Sequence, residues 1–283
     1  MSAQSSRQPV QAETPEFFPN RERARLFGVL HPVMDQAQHS GVAVVYCAPL
    51  FEEKLWSHRV MVNFARFLAA RGTPVLRFDY CGDGESEGEF REASIDSRVA
   101  DTCSAVAHAG ERFGVDRIIL LGLGVGAMIA AAAARNLDEV AGLAMWAPIA
   151  SGSRLLNDML RMHLTAQMVV HRKVIHDREA LVRQIMAGGQ VNVEGYDIAR
   201  PLYEQLAAIE LEAMLAVISV GTLVVQISPQ DRTEGQYAGL ERPTRQDMQF
   251  RRVQEHKFWV QQRAVFPSCQ ELFGVTHEWM KAI

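Results

Sequence analysis

Apolar and polar positions change rhythm along the chain, and these changes predict strands that alternate with helices. Unbroken apolar runs occur at Val42–Cys47, Thr73–Asp79, Asp116–Gly122 and Val140–Pro148. They lack the two-residue alternation of a half-exposed strand, and such runs are typical of strands buried on both faces of a parallel sheet.

The segments between these runs have helical periodicity. Met61, Phe64 and Leu68 share one face of a helix predicted over Trp56–Arg71, and Ser94–Phe113 is amphipathic in the same way. The alternation predicts an α/β fold, with a mostly parallel central sheet and helices on both of its faces.

Two regions interrupt this alternation. Phe17–Pro32 predicts two antiparallel strands around a turn at Asn20–Glu22, whereas the chain from Ser151 to about Met214 is helical and partly polar, with a break at Met186–Tyr196. The later predicted elements are strands at Thr222–Ser228 and Gln249–Val253 and a helix over Val260–Lys281. We therefore expect a disordered tail at residues 1–15, a core formed by residues 16–150 and 217–283, and a helical lid at residues 151–216.

Composition narrows the class of protein. The chain has 283 residues, a formal net charge of −4 and 48% hydrophobic residues, which gives no basic surface for nucleic acid. No apolar run reaches the roughly 18 residues that span a bilayer, and the polar N-terminus lacks a signal core. The four scattered cysteines predict free thiols, so we expect a cytoplasmic protein with no metal and no cofactor.

The turn after the third buried run carries the most specific motif. Gly122, Gly124 and Gly126 have the spacing of the nucleophile elbow G-x-S-x-G, with glycine at the position of the catalytic serine. A glycine there keeps the elbow backbone and relieves its strain, but it removes the hydroxyl. The alternatives are a plain glycine-rich turn at a helix start, or a phosphate-binding loop, for which the P-loop lysine is missing.

The loop Asp79–Gly88 follows the second buried run. It resembles the D-x-R-G-x-G-x-S-x-G loop of α/β hydrolases similar to serine aminopeptidases and monoacylglycerol lipases, with Cys81 where arginine is common. The resemblance implies an α/β-hydrolase fold with a helical lid insertion, and a structural role for Ser86. Cys81 is expected to line the site, and a cysteine nucleophile at Cys47 or Cys81 is a remote alternative.

In this fold an oxyanion hole combines an N–H group of the loop after the first buried strand with that of the residue after the nucleophile. The resemblance assigns these roles to Leu50 and Val125. Phe51, Glu52 and Glu53 are expected to line the site. For the two glutamates we favour helix capping and pairing with a basic side chain over a direct acid–base role.

The last two predicted strands are followed by the remaining candidates. Asp231 stands where the family places its triad acid, and His256 stands in the loop where the family has its histidine before aromatic residues. The chain order nucleophile, acid, histidine is correct for this fold. Asp231 would orient His256, which would act as the general base.

Further segments resemble the exosortase-system-associated hydrolases, which are α/β-hydrolase-fold proteins of bacterial exopolysaccharide and protein-sorting gene clusters. The matching segments are Pro49–Glu53, Asp79–Gly88, the glycine elbow, Gly189–Tyr196 and Lys257–Trp259. The resemblance implies that the elbow serine need not be kept.

Two functions follow from these residues. The first is a hydrolase of a small ester, thioester or amide, in which Asp231 and His256 activate water directly. The second is a catalytically inactive pseudo-hydrolase that binds a ligand; a deliberately replaced serine is a third explanation of Gly124. The partner is expected to be a small molecule, with an acyl compound as one alternative because apolar side chains recur in the lid, and a homodimer is a further alternative. These lid side chains are Leu155, Met159, Met162, Met168 and Val169.

Overall fold

A computed structural model describes residues 13–33, 39–173, 175–241, 245–261 and 268–283. Most of the predicted disordered tail, residues 1–12, lies outside these ranges. Its last residues do not fit the prediction, because a strand begins at Thr14 and pairs along its whole length with the next strand.

The strands are β1 (Thr14–Pro19), β2 (Arg25–His31), β3 (Ala43–Cys47), β4 (Val75–Phe78), β5 (Ile118–Leu123), β6 (Val140–Trp146), β7 (Gln190–Val193), β8 (Tyr196–Ala199), β9 (Gly221–Ile227) and β10 (Met248–Val253). The helices are α1 (Glu52–Ala69), α2 (Ile95–Phe113), α3 (Val125–Ala134), α4 (Gly152–His171), α5 (Arg178–Met186), α6 (Arg200–Ala207), α7 (Leu211–Leu215) and α8 (Gln270–Met280).

Within the described residues, eight strands form one sheet in the order β1-β2-β4-β3-β5-β6-β9-β10. The strands β4, β3, β5, β6, β9 and β10 run parallel to one another, and β1 and β2 are antiparallel to their neighbours. The predicted mostly parallel α/β sheet is confirmed. Its parallel strands all end at one edge, so the loops after them converge there.

The core lies between this sheet and its helices. Helix α1 packs with α8, and α2 packs with α3. Aromatic rings from three elements meet in this core. The ring centroid of Phe64 in α1 lies 4.7 Å from that of Trp146 in β6 and 4.9 Å from that of Phe273 in α8. Helix α3 is rich in alanine and almost wholly buried, and its small side chains let its backbone approach the sheet closely.

Local sequence signals explain where α2 begins and ends. The Ser94 hydroxyl accepts a hydrogen bond from the Ser97 backbone N–H, and the Ser97 hydroxyl accepts one from the Ser94 N–H. Gly114 ends the helix with a left-handed backbone at φ 66°. The helix predicted over Ser94–Phe113 is thus formed and capped by its own residues.

The insertion between β6 and β9 holds α4 to α7 and a hairpin of β7 with β8. The hairpin occupies the break expected at Met186–Tyr196. Glu194 and Gly195 both have positive φ values, 51° and 95°, as a two-residue hairpin turn requires. That the insertion as a whole forms a lid distinct from the core stays a prediction.

The last helix starts later than predicted. Helix α8 begins at Gln270, and Cys269 just before it has φ 52°, which no helix continues through. Val260 is not helical, and residues 262–267 of the predicted helix lie outside the described ranges. Apolar periodicity alone gave no sign of this left-handed residue.

Candidate active site

The turn between β5 and α3 has an unusual backbone, with φ 57° and ψ −121° at Gly124. Its flanking glycines permit close packing. A Cβ on Gly122 would lie 2.3 Å from the Gly126 carbonyl oxygen, and a Cβ on Gly126 would lie 2.2 Å from the Cys47 carbonyl oxygen. Because no side chain fits at either flank, the turn brings the start of α3 against the loop after β3.

The side chain of Glu53 lies beside Gly124. A Cβ built on Gly124 would lie 2.8 Å from Glu53 Oε2, closer than real Cβ atoms approach, and 3.8 Å from Pro49 Cβ. Glu53 belongs to the first turn of α1 and points into the space that a nucleophile would use. The sequence analysis expected Glu53 to line the site but favoured capping or pairing with a basic side chain over a direct acid–base role; two acids directly after the predicted oxyanion loop were the available signal.

Burial raises the pKa of Glu53 to about 7, and the Lys257 charge opposes this rise. A carboxyl removed from water holds its proton more tightly, because the charged form is poorly solvated. Lys257 Nζ lies 3.5 Å from Glu234 Oε1. The site therefore combines a carboxyl that titrates near neutrality with an ammonium–carboxylate pair.

Glu53, Gly124, Glu234 and Lys257 line one cavity of about 290 Å³. The loop after β6 and helix α4 of the insertion complete its wall, with Arg154 and Leu155 facing it. The volume is at the small end of the range for ligand pockets in proteins, so it suits a small molecule.

The structure does not bring Asp231 and His256 into this cavity. Asp231 is largely exposed and forms an ion pair with Arg252, from Oδ1 to Nη1 at 3.3 Å. His256 is exposed, and within the described residues no hydrogen bond or ion pair joins it to Asp231. Both predicted loops still reach the cavity, but through Glu234 and Lys257, which follow the predicted residues by three positions and by one.

Leu50 and Val125, the predicted oxyanion donors, are both buried. Val125 is the first residue of α3, where a backbone N–H has no partner within the helix. Leu50 lies in the loop that packs against this helix start. Their joint use as an oxyanion hole stays a prediction.

The other predicted lining residues do not reach the cavity. Glu52 is exposed in the first turn of α1, and Phe51, with φ 61°, contacts the rings of Phe90 and Tyr196. The Cys81 thiol donates to the Glu87 carbonyl oxygen at 3.1 Å. None of the three lines the Gly124 cavity in the described structure.

Neither cysteine considered as a nucleophile has a thiolate-favouring environment. Burial raises the pKa of the Cys81 thiol, and burial raises that of Cys47 to about 12. Ser86 has the structural role expected of it, because its hydroxyl donates to the Asp79 carbonyl oxygen at 2.6 Å and accepts from the Phe27 N–H at 2.8 Å.

Of the apolar lid side chains, Leu155 faces the cavity, Met159 packs inside the insertion, and Met162, Met168 and Val169 are exposed. In the described ranges, no cluster of His, Cys, Asp or Glu is arranged to hold a metal ion. No described helix is both long and apolar enough to cross a membrane.

Comparison with known proteins gives a family and a fold. Residues 35–209 match the family described as serine aminopeptidase, S33. The α/β hydrolase GrgF from Penicillium sp. sh18 is 19% identical, with a TM-score of 0.64, over 96% of this chain and 98% of that one. An esterase from Pyrococcus furiosus is 13% identical, with a TM-score of 0.64, over 96% of this chain and 91% of that one.

Est1E from Butyrivibrio proteoclasticus, solved with ferulic acid bound, is 13% identical, with a TM-score of 0.63, over 94% of this chain and 96% of that one. No curated protein matches the sequence. At such identities the likeness shows the fold alone, and it confirms the predicted α/β-hydrolase fold.

Proposed function

Because the chain belongs to the serine aminopeptidase S33 family of α/β hydrolases, we propose that it hydrolyses a small ester, thioester or amide without a serine nucleophile. The proposed reaction takes place in the Gly124 cavity. Glu53 is the general base, in place of the Asp231–His256 pair expected from the sequence.

One observation carries this proposal, namely the Glu53 carboxyl at the elbow. Its Oε2 lies 2.8 Å from the position of a Cβ on residue 124, so it stands next to the place where a serine hydroxyl would react. A base is most effective when its pKa is close to the working pH, and the pKa of Glu53 is about 7. Glu53 therefore has both the position and the acidity that water activation needs.

The step follows from this placement. The Glu53 carboxylate accepts a proton from a water molecule while the water oxygen bonds to the substrate carbonyl carbon. The negative charge that develops on the carbonyl oxygen is stabilised by hydrogen bonds from the Leu50 and Val125 N–H groups. The bond to the leaving group then breaks, and the leaving group takes the proton from Glu53.

Lys257 supports the same step electrostatically. Its charge opposes the rise of the Glu53 pKa and so keeps part of the carboxyl ionised near neutral pH. Glu234 lies 3.5 Å from Lys257 Nζ and holds the ammonium in the cavity wall. The exosortase-associated subfamily, an acyl substrate and a cytoplasmic location remain parts of this proposal that rest on the sequence.

The test is hydrolysis of p-nitrophenyl butyrate and of a butyryl thioester by the purified chain. General bases contribute about 10²–10⁴-fold, so Glu53→Gln is expected to lower kcat/KM by at least about 100-fold. The rate of the unmodified chain should rise with pH and level off above about 7, where the carboxylate predominates. Glu52→Gln, on the exposed neighbour, is the matched control and should keep the rate.

His256→Ala separates this mechanism from the one predicted by sequence. Loss of activity in His256→Ala with retention in Glu53→Gln would overturn the role of Glu53 and favour the Asp231–His256 pair. If the folded chain hydrolyses neither probe, the result favours a binding protein of the same family. The elbow glycine favours that second function, because it keeps the backbone while removing the reactive atom.

A further inference from the structure

A second cavity, of about 580 Å³, lies between α1 and the β2–β4–β3 part of the sheet. We call it the side cavity; its lining includes Phe27, Val29, Tyr46, Leu55, Met61 and Arg77. Val29 and Tyr46 are the cross-strand neighbours of Arg77, one on each side of β4. Because cross-strand neighbours project to the same face, these three side chains form one row of the cavity wall.

Arg77 brings a positive charge to this row. Burial lowers the pKa of its guanidinium, and the charges of Glu13 and Asp79 oppose this without forming an ion pair with it. The Arg77 Nε donates to Nε2 of buried His31 at 2.9 Å, and it forms no ion pair with any described carboxylate. Burial and then the Arg77 charge lower the pKa of His31 to about 4, so at neutral pH His31 is an uncharged acceptor. The guanidinium is partly buried and its hydrogen-bond partner His31 is neutral, so a ligand anion that reached it would add a direct ion pair to the attraction of Glu13 and Asp79.

The carboxylates near the side cavity are already used. Lys54 Nζ lies 2.6 Å from Asp79 Oδ1, and Arg98 Nη1 lies 3.1 Å from Asp83 Oδ2. Glu85, the remaining acid of the lining, is exposed to solvent. The charge of Arg77 is therefore available to a ligand.

Tyr46 adds a hydroxyl without a partner. It is 6% exposed, and its hydroxyl makes no hydrogen bond with any described residue. The neighbouring Ser57 hydroxyl donates instead to the Lys54 carbonyl oxygen at 3.3 Å. Buried hydroxyls are nearly always hydrogen-bonded, so the Tyr46 hydroxyl is a donor that a ligand carboxylate beside Arg77 would engage.

We propose that the side cavity binds an organic monocarboxylate with an apolar body, its carboxylate held by Arg77 and the Tyr46 hydroxyl. The planar guanidinium matches a carboxylate in a two-point contact. Phe27, Leu55 and Met61 supply apolar wall for the rest of the ligand. This site is separate from the Gly124 cavity, with which it shares none of its lining residues.

Isothermal titration of the full chain with octanoate tests the proposal. Saturable binding is expected. Acetate, which lacks the apolar chain, and 1-octanol, which lacks the carboxylate, should bind at least about tenfold more weakly. Arg77→Gln should weaken octanoate at least about tenfold, and Tyr46→Phe, which removes one oxygen, by about three- to tenfold. Arg77→Lys keeps the positive charge in case Arg77→Gln fails to fold. It should still weaken octanoate binding, because an ammonium group cannot make the two-point contact of a guanidinium.

Glu53→Gln and Lys257→Gln are the controls in the Gly124 cavity, and both should keep the octanoate affinity. The octanoate result does not depend on whether the chain hydrolyses esters, so either proposal can be overturned without the other. The site is overturned if octanoate does not bind, or if affinity survives Arg77→Gln and Tyr46→Phe. It is also overturned if Lys257→Gln alone abolishes binding, or if inorganic phosphate binds as tightly as octanoate.

Discussion

At the scale of single residues, Glu53 couples the stability of the fold to pH. Burial raises its pKa above the ordinary value of 4.5 to about 7, so the folded chain binds this proton more tightly than the unfolded chain. Ionisation of Glu53 therefore destabilises the fold. The penalty is absent below pH 4.5, grows between pH 4.5 and 7, and is complete above pH 7.

Glu53→Gln removes this penalty and is expected to raise the free energy of unfolding at pH 8 by about 1–3 kcal/mol. At pH 5 the gain should nearly vanish, since most of the native carboxyl is then protonated. Urea denaturation at both pH values measures the difference. Glu52→Gln, on an exposed carboxylate, should change stability by less than about 0.5 kcal/mol at either pH; an equal gain for Glu53→Gln at both pH values would contradict the prediction.

Gly124 sets the position of the same carboxyl. In Gly124→Ala the new methyl group would lie 2.8 Å from Glu53 Oε2 and must displace it, and the residue must keep φ 57°. We expect a loss of about 1–3 kcal/mol in the free energy of unfolding from the strained backbone. Any ester hydrolysis should fall at least about tenfold, because the base moves.

Gly274→Ala is the matched control for this substitution. Gly274 lies inside α8 and a Cβ there meets nothing, so alanine should leave hydrolysis unchanged and raise stability by about 0.5–1 kcal/mol. If Gly124→Ala were as harmless as Gly274→Ala, the placement of Glu53 against the elbow would be wrong.

At the scale of elements, the sequence predicted the strands better than the side chains at their ends. Long apolar runs gave β3, β5 and β6 because burial on both faces leaves a signal in every residue of the strand. Helix α8 was placed too early because the left-handed residue Cys269 leaves no periodic trace.

The elbow and the loops around it were likewise found from spacing, since glycines are required where backbones touch. The position of the Glu53 carboxyl beside Gly124 could not be read in the same way. It depends on which way the first turn of α1 faces, and the packing of α1 on β2, β4 and α8 sets this direction. Neither a motif nor a hydrophobic pattern contains that information.

Helix α2 is tied to the loop before it by a buried ion pair. Arg98 is wholly buried, its Nη1 lies 3.1 Å from Asp83 Oδ2, and its guanidinium carbon lies 4.9 Å from the centre of the Tyr80 ring. Asp83→Ala leaves the Arg98 charge buried without its partner, so we expect a loss of about 3–5 kcal/mol in the free energy of unfolding.

The double variant Asp83→Ala with Arg98→Met separates a lost partner from a lost attraction. It removes both charges and fills similar volume, so it should be more stable than Asp83→Ala alone. Urea denaturation of the single and double variants measures this. A double variant that loses as much as the sum of both single losses would mean that the two residues act independently.

At the scale of the whole molecule, the described residues form two apolar clusters of unequal size. The large one joins the sheet to its helices, and the small one lies within the insertion. The small cluster consists of Leu160, Leu181, Ile185, Val191, Val193 and Ile198. Phe51 and Tyr203 pack against both clusters and are contacts through which the insertion is joined to the loop that precedes Glu53.

Segments with small cores of their own open at lower free energy than the main core. Ile185 is fully buried in the small cluster, so Ile185→Ala should cost that cluster about 2–5 kcal/mol through lost contacts and a cavity. Helices α4, α6 and α7 also contribute buried side chains to the large cluster, whereas α5 and the β7–β8 hairpin contribute only to the small one. Most of this loss should therefore appear as local opening of α5 and the hairpin. In hydrogen exchange the amides of β7 and β8 should lose protection by at least about tenfold, while those of β3 and β5 stay unchanged.

Ile119→Ala, at a fully buried position of β5, is the matched control, and it should lower protection in the sheet as well as in the insertion. Equal loss of protection in both regions for Ile185→Ala would show that the insertion unfolds only together with the core. Local opening alone would mean that α5 and the hairpin move without unfolding the sheet, while Leu155 in the wall of the Gly124 cavity stays packed on the large cluster. Phe51 packs on both clusters, so it would then be the contact that links this opening to the loop before Glu53.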